Sequence, residues 1–236
     1  MTDERIDFES RLSAGVGRID LWSLRKETAS GTAKAFVAVG QAMASRTDLT
    51  GEVGEAVRAM GALVQMAGEL GVSATKMLSS DEHYAGAALV RQIVEIEYLT
   101  WNFKEGHKSI AAWINSTHED RMRVFSPKQL RASSKGRFLF KDYQDHCEQG
   151  GHPVPRGIPL LGGQNVSAAQ LLLVDLLLHC WRTWDQVRNW LLNLESVQQI
   201  GFPKAGAEIS RGLVEWGKRD PVYALMVKVS PDPAST

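Results

Sequence analysis

One predicted helix carries an arginine and a glutamate that point toward the protein interior. The helix covers residues 80–104, in which Arg91 and Glu95 lie about one turn apart. At 100° per residue, both charges fall in a stripe that also holds two tyrosines and has aliphatic side chains on either side. Glu97 falls on the opposite face, where solvent is expected. Buried charges are costly unless they are paired, so the stripe predicts either a structural ion pair or a functional site.

A second polar cluster occupies residues 143–153, which read YQDHCEQGGHP. His152 is the favoured general acid or base, because imidazole exchanges protons near neutral pH and the following proline fixes the backbone. His146 is expected on an exposed helical turn. A metal site made from His146, His152, His179 and Asp175 lacks the usual ligand spacings, so the sequence predicts no metal and no other cofactor.

Positive charge is concentrated in one segment. Lys+Arg and Asp+Glu both number 27 in the whole chain, yet residues 121–141 include seven basic side chains and no acidic one. Phenylalanines are interleaved with them, and basic and aromatic groups together can hold phosphates and stack on bases. RNA-binding side chains are therefore predicted at Arg121, Arg123, Lys128, Arg131 and Arg137. An ordinary solvated face is the alternative.

Composition and missing motifs exclude several classes of protein. The N-terminus is acidic and polar, unlike a signal peptide. The longest apolar run, 171–181, is short and contains Asp175 and His179, so no membrane span is expected. Glycine-rich phosphate loops and a nucleophile elbow are absent. The two cysteines form no disulfide or metal pattern. The sequence predicts a soluble, cytoplasmic protein.

Helical periodicity dominates the chain and predicts an all-α fold, a bundle of long antiparallel helices with short helices inserted. Helices are expected over 6–26 and 31–46, with a break at Ser30–Gly31, and over 52–70. The expected regions are an N-terminal helical region (1–78), a core bundle (79–200), and a short C-terminal helix with a disordered tail (201–236).

Capping patterns predict where the two central helices begin. Ser79 and Glu82 have the spacing of a capping box before the helix of Arg91, and Ser167 is expected to cap a long helix that ends near Leu194. An irregular Gly- and Pro-rich loop is expected over 150–163. Asp175, His179 and Gln186 are predicted to lie on the solvated face of the last long helix.

The order of these features resembles bacterial all-α domains related to the HEPN superfamily. The residues that carry the resemblance are Arg91, Glu95, Tyr98, Tyr143, Cys147 and His152 with Pro153. HEPN relatives are four- to five-helix bundles, often dimeric, and many are metal-independent ribonucleases of toxin–antitoxin or antiphage systems. Their Arg-x4–6-His hallmark is absent here.

The resemblance implies a homodimer that binds or cleaves RNA. In that mechanism His152 acts as general acid or base, Arg91 neutralises charge on the phosphate, Glu95 holds Arg91, and Tyr143 donates a hydrogen bond. Two alternatives stay open. One is a non-catalytic module that binds a partner protein. The other is a small-molecule pocket lined by Tyr84, Tyr98, Trp101 and Trp184.

Overall fold

The computed structural model describes residues 2–163, 165–194 and 204–229. All of its regular secondary structure in these ranges is helical. No β-strand occurs in these ranges, so the predicted all-α helical bundle is confirmed. In chain order the helices are α1 (Thr2–Val16), α2 (Trp22–Ala44), α3 (Gly51–Leu78), α4 (His83–Lys104), α5 (Ile110–Ile114), α6 (His118–Val124), α7 (Pro127–Ser133), α8 (Phe140–His146), α9 (Val166–Leu192), α10 (Lys204–Arg219) and α11 (Pro221–Val229).

Three short segments connect these helices. A 3-10 turn (Ile19–Leu21) joins α1 to α2, a π-helical turn (Cys147–Gly151) continues α8, and a 3-10 segment (Pro155–Gly163) precedes α9. The last two occupy most of the predicted irregular loop. The C-terminal region holds two helices where one was expected, and the predicted tail at 230–236 lies outside the described residues.

The core is built by α2 against α3, α3 against α4, and α4 against α9, with α10 packed on α2. One continuous set of buried apolar side chains extends from Val16 in α1 to Val222 in α11. The start of α9 lies near the start of α4, because Gly163 packs against Asp81. These two helices therefore run in the same direction, joined by the crossover that contains α5–α8.

Glycines allow α2 and α3 to approach closely. A Cβ atom on Gly68 would lie 2.6 Å from the backbone nitrogen of Val37, and one on Gly40 would lie 2.4 Å from that of Gln65. These contacts are with backbone atoms, which cannot move aside as a flexible side chain can. The two helices can take this separation only because these positions have no side chain.

A buried arginine links the N-terminal helix and the two C-terminal helices to the rest of the bundle. Arg25 in α2 is fully buried and donates to both carboxylate oxygens of Asp220, at 2.7 and 2.9 Å. It also donates to Gln170 Oε1 and to the carbonyl of Gly15. The indole of Trp216 donates to the same carboxylate. Because its hydrogen bonds are made, the charge can stay buried while it links α1, α2, α9 and the C-terminal helices.

Helix boundaries differ from prediction where packing outweighs local preference. α2 continues through Ser30–Gly31, because one exposed glycine costs a helix only about 1 kcal/mol. The chain breaks earlier, at the 3-10 turn, where Gln170 donates to the carbonyl of Arg18. Ser79 caps the end of α3, so it forms no capping box with Glu82. Asn165, in place of the predicted Ser167, caps α9.

Within the described ranges, no single helix is long and apolar enough to cross a membrane. The segment Pro155–Gly163 and α9 are long and apolar enough when they are taken together, but the two are bent by 104° relative to each other.

The close approach of α2 and α3 can be tested with two glycine substitutions. We expect Gly68→Ala to lower the free energy of unfolding by about 1–3 kcal/mol, because its methyl group meets backbone atoms. Gly31→Ala is the matched control. Among the described residues, and apart from the adjacent backbone of α2 itself, no atom lies within 4 Å of its Cβ position, so this substitution should raise stability by up to about 1 kcal/mol. Urea denaturation measures both, and equal effects would show that the interface is looser than described.

Candidate functional site

Polar groups from three elements meet where α8 and its π-helical turn pack on α4 and α9. The approach to α4 depends on glycine, because a Cβ atom on Gly150 would lie 2.6 Å from the backbone nitrogen of Ala88. A Cβ atom on Gly151 would lie 2.4 Å from Cδ of Arg91. The Gly-Gly pair thus lets the end of α8 lie directly on the helix that carries Arg91.

The structure brings Arg91, Glu95 and Tyr143 together, three of the four residues predicted to be catalytic. Arg91 Nη1 lies 2.5 Å from Glu95 Oε1 and 3.1 Å from the Tyr143 hydroxyl, which donates to the same carboxylate at 2.9 Å. The side chains of Arg91 and Glu95 remain 23% and 31% exposed. Burial is the largest single effect on Arg91 and opposes its charge, but Glu95, Tyr143 and Cys147 together outweigh it and raise the pKa of the guanidinium.

A second arginine reaches the same tyrosine. The guanidinium carbon of Arg131 lies 4.5 Å from the centre of the Tyr143 ring and 5.3 Å from that of Phe140. Nη1 of Arg131 and Nε of Arg91 are buried and have no hydrogen-bond partner among the described residues. Two partly exposed arginines lie around one tyrosine and share one neighbouring carboxylate, Glu95, so they form a positively charged site at the surface of α4 and α8, which we call the arginine site.

Two histidines and two carboxylates from α4, α8 and α9 form a second group, which we call the histidine–carboxylate cluster (Glu97, His146, Asp175 and His179). His179 Nδ1 lies 2.5 Å from Glu97 Oε2, and His179 Nε2 lies 3.4 Å from Asp175 Oδ1. His146 Nε2 lies 2.8 Å from Asp175 Oδ2, and the two Nε2 atoms are 3.3 Å apart. His146 Nδ1 donates to the carbonyl of Asp142 at 2.7 Å.

The carboxylates change the electrostatics of both rings. Burial by itself would lower the pKa of His179, but the charges of Asp175 and Glu97 outweigh it and raise the pKa to about 9. Asp175 likewise raises the pKa of His146 against the effect of burial. Desolvation would raise the pKa of Asp175, yet the two histidines hold it well below its ordinary value. The cluster therefore favours added positive charge.

The remaining predicted site residues lie elsewhere. His152 is exposed, and its backbone carbonyl accepts a hydrogen bond from Tyr84. It does not join the cluster. Arg121 and Arg123 are exposed and bind Ser116 and Asp120, respectively, and Lys128 is also exposed. Arg137 lies over the rings of Trp101 and Phe138, whereas Arg131 of the same basic segment lies over Tyr143.

Several orientations predicted from periodicity are wrong. Glu97, expected in solvent, is 1% exposed, and His179 and Gln186, expected on a solvated face, are buried. His146, expected on an exposed turn, has a side chain only 14% exposed. The available signal was the Asp-x-x-x-His spacing of Asp175 and His179, which places both groups on one face of α9.

The four aromatic residues predicted to line a small-molecule pocket are divided between different parts of the core. Tyr98 and Trp101 pack on Phe138, whereas Trp184 packs on Phe36 and donates to Ser210. Tyr84 contacts the backbone of Gly157. Their rings are therefore committed to separate contacts.

Comparison with known proteins adds no relative: no family model, no curated protein and no solved structure matches the chain. The similarity to HEPN proteins thus stays a prediction.

The buried position of Glu97 gives a stability test. Glu97→Ala should lower the free energy of unfolding by about 3–5 kcal/mol, because it leaves His179 buried beside an empty space. Glu95→Ala, two residues away, should cost about 1 kcal/mol or less, since Glu95 is partly exposed. Chemical denaturation followed by circular dichroism compares them. If the loss is no greater for Glu97→Ala, Glu97 is not the buried partner described.

Proposed function

We propose that this protein acts on RNA and that the junction of α4, α8 and α9 is its active site. The observation that carries the proposal is that α8 takes part in both groups: Tyr143 lies against Arg91 and Arg131, and His146, three residues later, lies against Asp175 and His179. The two arginines offer a binding site for an anionic group. The histidine–carboxylate cluster offers side chains that remove and deliver protons, as phosphodiester cleavage requires.

Arg91 and Arg131 are assigned to the phosphate. Guanidinium groups bind phosphate oxygens through charge-assisted hydrogen bonds, and the side chains of both arginines are partly exposed to solvent. Glu95 and the Tyr143 hydroxyl hold Arg91 in position from one side. The aromatic rings under Arg131 restrict its motion in the same way. Less ordering is then needed when the substrate binds.

The histidine–carboxylate cluster is assigned to proton transfer, the role predicted from the sequence for His152. His146 and Tyr143 lie three residues apart on α8 and so share one face of this helix. In RNA cleavage, a ribose 2′-hydroxyl loses its proton to the cluster and attacks the adjacent phosphorus. The bond to the 5′-oxygen breaks, that oxygen takes up a proton, and a 2′,3′-cyclic phosphate remains.

RNA cleavage by variants at the junction tests the proposal. With a labelled single-stranded RNA oligonucleotide, Arg91→Ala should slow cleavage by about 10²–10³-fold, because a donor to the charged transition state is lost. Arg131→Ala should weaken RNA binding and reduce its salt dependence by about one phosphate contact. Arg46→Ala is the control, since Arg46 is paired with Asp48 outside the junction.

A second candidate function follows if wild-type protein neither cleaves RNA nor binds it in a salt-dependent way. Large apolar side chains are exposed on and around α8 and the 3-10 segment, among them Phe140 at 64% and Ile158 at 63%. Exposed apolar groups of this kind favour a protein-binding surface. The predicted interaction module would then be the better explanation.

A further inference from the structure

The hydrogen bonds of the two histidines determine which ring atoms face each other. The Asp142 carbonyl can only accept, so Nδ1 of His146 must donate to it. Glu97 is a carboxylate, so Nδ1 of His179 donates as well. Each ring therefore holds one proton on its outer nitrogen and turns Nε2 inward. Both Nε2 atoms meet at Asp175.

This arrangement places three potential electron-pair donors around one point. The Nε2 atoms are 3.3 Å apart, and the nearest Asp175 oxygens lie 2.8 Å from His146 Nε2 and 3.4 Å from His179 Nε2. Lone pairs that converge in this way repel one another. A positive charge between them is needed to make the arrangement favourable.

One proton, two protons or one divalent cation can supply that charge. One proton pairs a single histidine with Asp175 and leaves one of the two carboxylates, Glu97 and Asp175, without a compensating charge. Two protons would create two imidazolium ions whose Nε2–H groups face each other across 3.3 Å, and like charges at this distance repel. One cation has the same total charge and contacts all three ligand atoms at once. It also balances the two carboxylates, Glu97 and Asp175, without leaving net charge in the protein interior.

We propose that His146, Asp175 and His179 bind one divalent transition-metal ion, with Zn²⁺ as the best-matched probe. Zinc binds histidine nitrogen and carboxylate oxygen at about 2.0–2.2 Å, which places tetrahedral ligand atoms about 3.3–3.5 Å apart. The two Nε2 atoms are 3.3 Å apart and His179 Nε2 lies 3.4 Å from Asp175 Oδ1, both at this value. His146 Nε2 lies 2.8 Å from the other carboxylate oxygen, Oδ2, a hydrogen-bond distance, so His146 and Asp175 must move slightly apart when both bind one ion.

The groups around the ligands are those of a metal centre. Metal-binding histidines usually donate their second N–H to a carboxylate or a backbone carbonyl, and here Glu97 and Asp142 accept these two bonds. Glu97 is therefore a positioning residue. The side chains of His146 and Asp175 are 14% and 20% exposed, so the ion can be reached from solvent.

Three protein ligands with access to solvent leave a coordination position for water, which is typical of catalytic zinc and not of structural zinc. A metal-bound water loses a proton near neutral pH, so the ion would assist the proton transfer assigned to the cluster. The metal site itself does not depend on RNA being the substrate. It would change the predicted metal-independent chemistry into metal-dependent chemistry.

Zn²⁺ binding to the metal-free full chain, without an affinity tag, tests the proposal by isothermal titration calorimetry. Wild-type protein should bind one ion per chain. Glu97→Gln should weaken binding by about 10–100-fold through loss of positioning. His146→Ala and Asp175→Asn should weaken it further. His152→Ala is the matched control, since this exposed histidine lies six residues from His146 and outside the cluster, and its affinity should be unchanged.

A second measurement distinguishes loss of metal binding from loss of the folded structure. Cobalt(II) in place of zinc should give the visible absorption of a four- or five-coordinate site in wild type and in His152→Ala, and not in His146→Ala. Circular dichroism shows whether each variant is folded. His146 is at the partly exposed end of α8, so its replacement should leave the helical spectrum unchanged.

Three results would overturn the metal site: no Zn²⁺ binding by wild type, equal binding by His146→Ala and wild type, or loss of binding in His152→Ala alone. The proposed action on RNA is measured separately. Cleavage that continues after chelation would remove the metal site and leave that function standing. Specific Zn²⁺ binding by protein that neither binds nor cleaves RNA would remove the proposed action on RNA and leave the metal site standing.

Discussion

The contact between Glu97 and His179 constrains the centre of this bundle more than any apolar pair could. Both side chains are less than 10% exposed, and their polar atoms are 2.5 Å apart. Rotation of α4 by one residue, about 100°, would leave a carboxylate and an imidazole buried without partners. One turn further along α4, Thr100 donates to Gln186 and supports the same register. Apolar packing alone tolerates small shifts, whereas these two contacts do not.

The register of α4 against α9 determines where Nε2 of His179 points. The short crossover helix α8, with its π-helical turn, then brings the remaining groups of the site to α4 and α9. Gly150 and Gly151 let the end of α8 lie on α4, which brings His146 to Asp175 and Tyr143 to Arg91 at the same time. A side chain at either glycine would push α8 outward and separate both pairs together. The arginine site (Arg91 and Arg131 around Tyr143) and the histidine–carboxylate cluster are thus positioned by the same packing contact.

The sequence predicted those features of the site that depend on local spacing. Arg91 and Glu95 are one turn apart, and the predicted pair forms. Glu97 was misplaced because its partner lies 82 residues away in the chain, on a helix that periodicity treats separately. A charged residue on an otherwise polar face is usually exposed. Only the approach of α9 shows that Glu97 and His179 each face a partner of complementary chemistry.

The same argument explains why His146 replaces His152 as the histidine of the site. Sequence favoured His152 because proline restricts its backbone, yet a restricted backbone does not orient an exposed ring. His146 is oriented at both nitrogens, by Asp142 on one side and Asp175 on the other. A reacting or metal-binding imidazole needs a defined tautomer as well as a defined position. Among the described histidines, His146 and His179 have both because each carries a fixed acceptor at Nδ1 and faces Asp175 with Nε2.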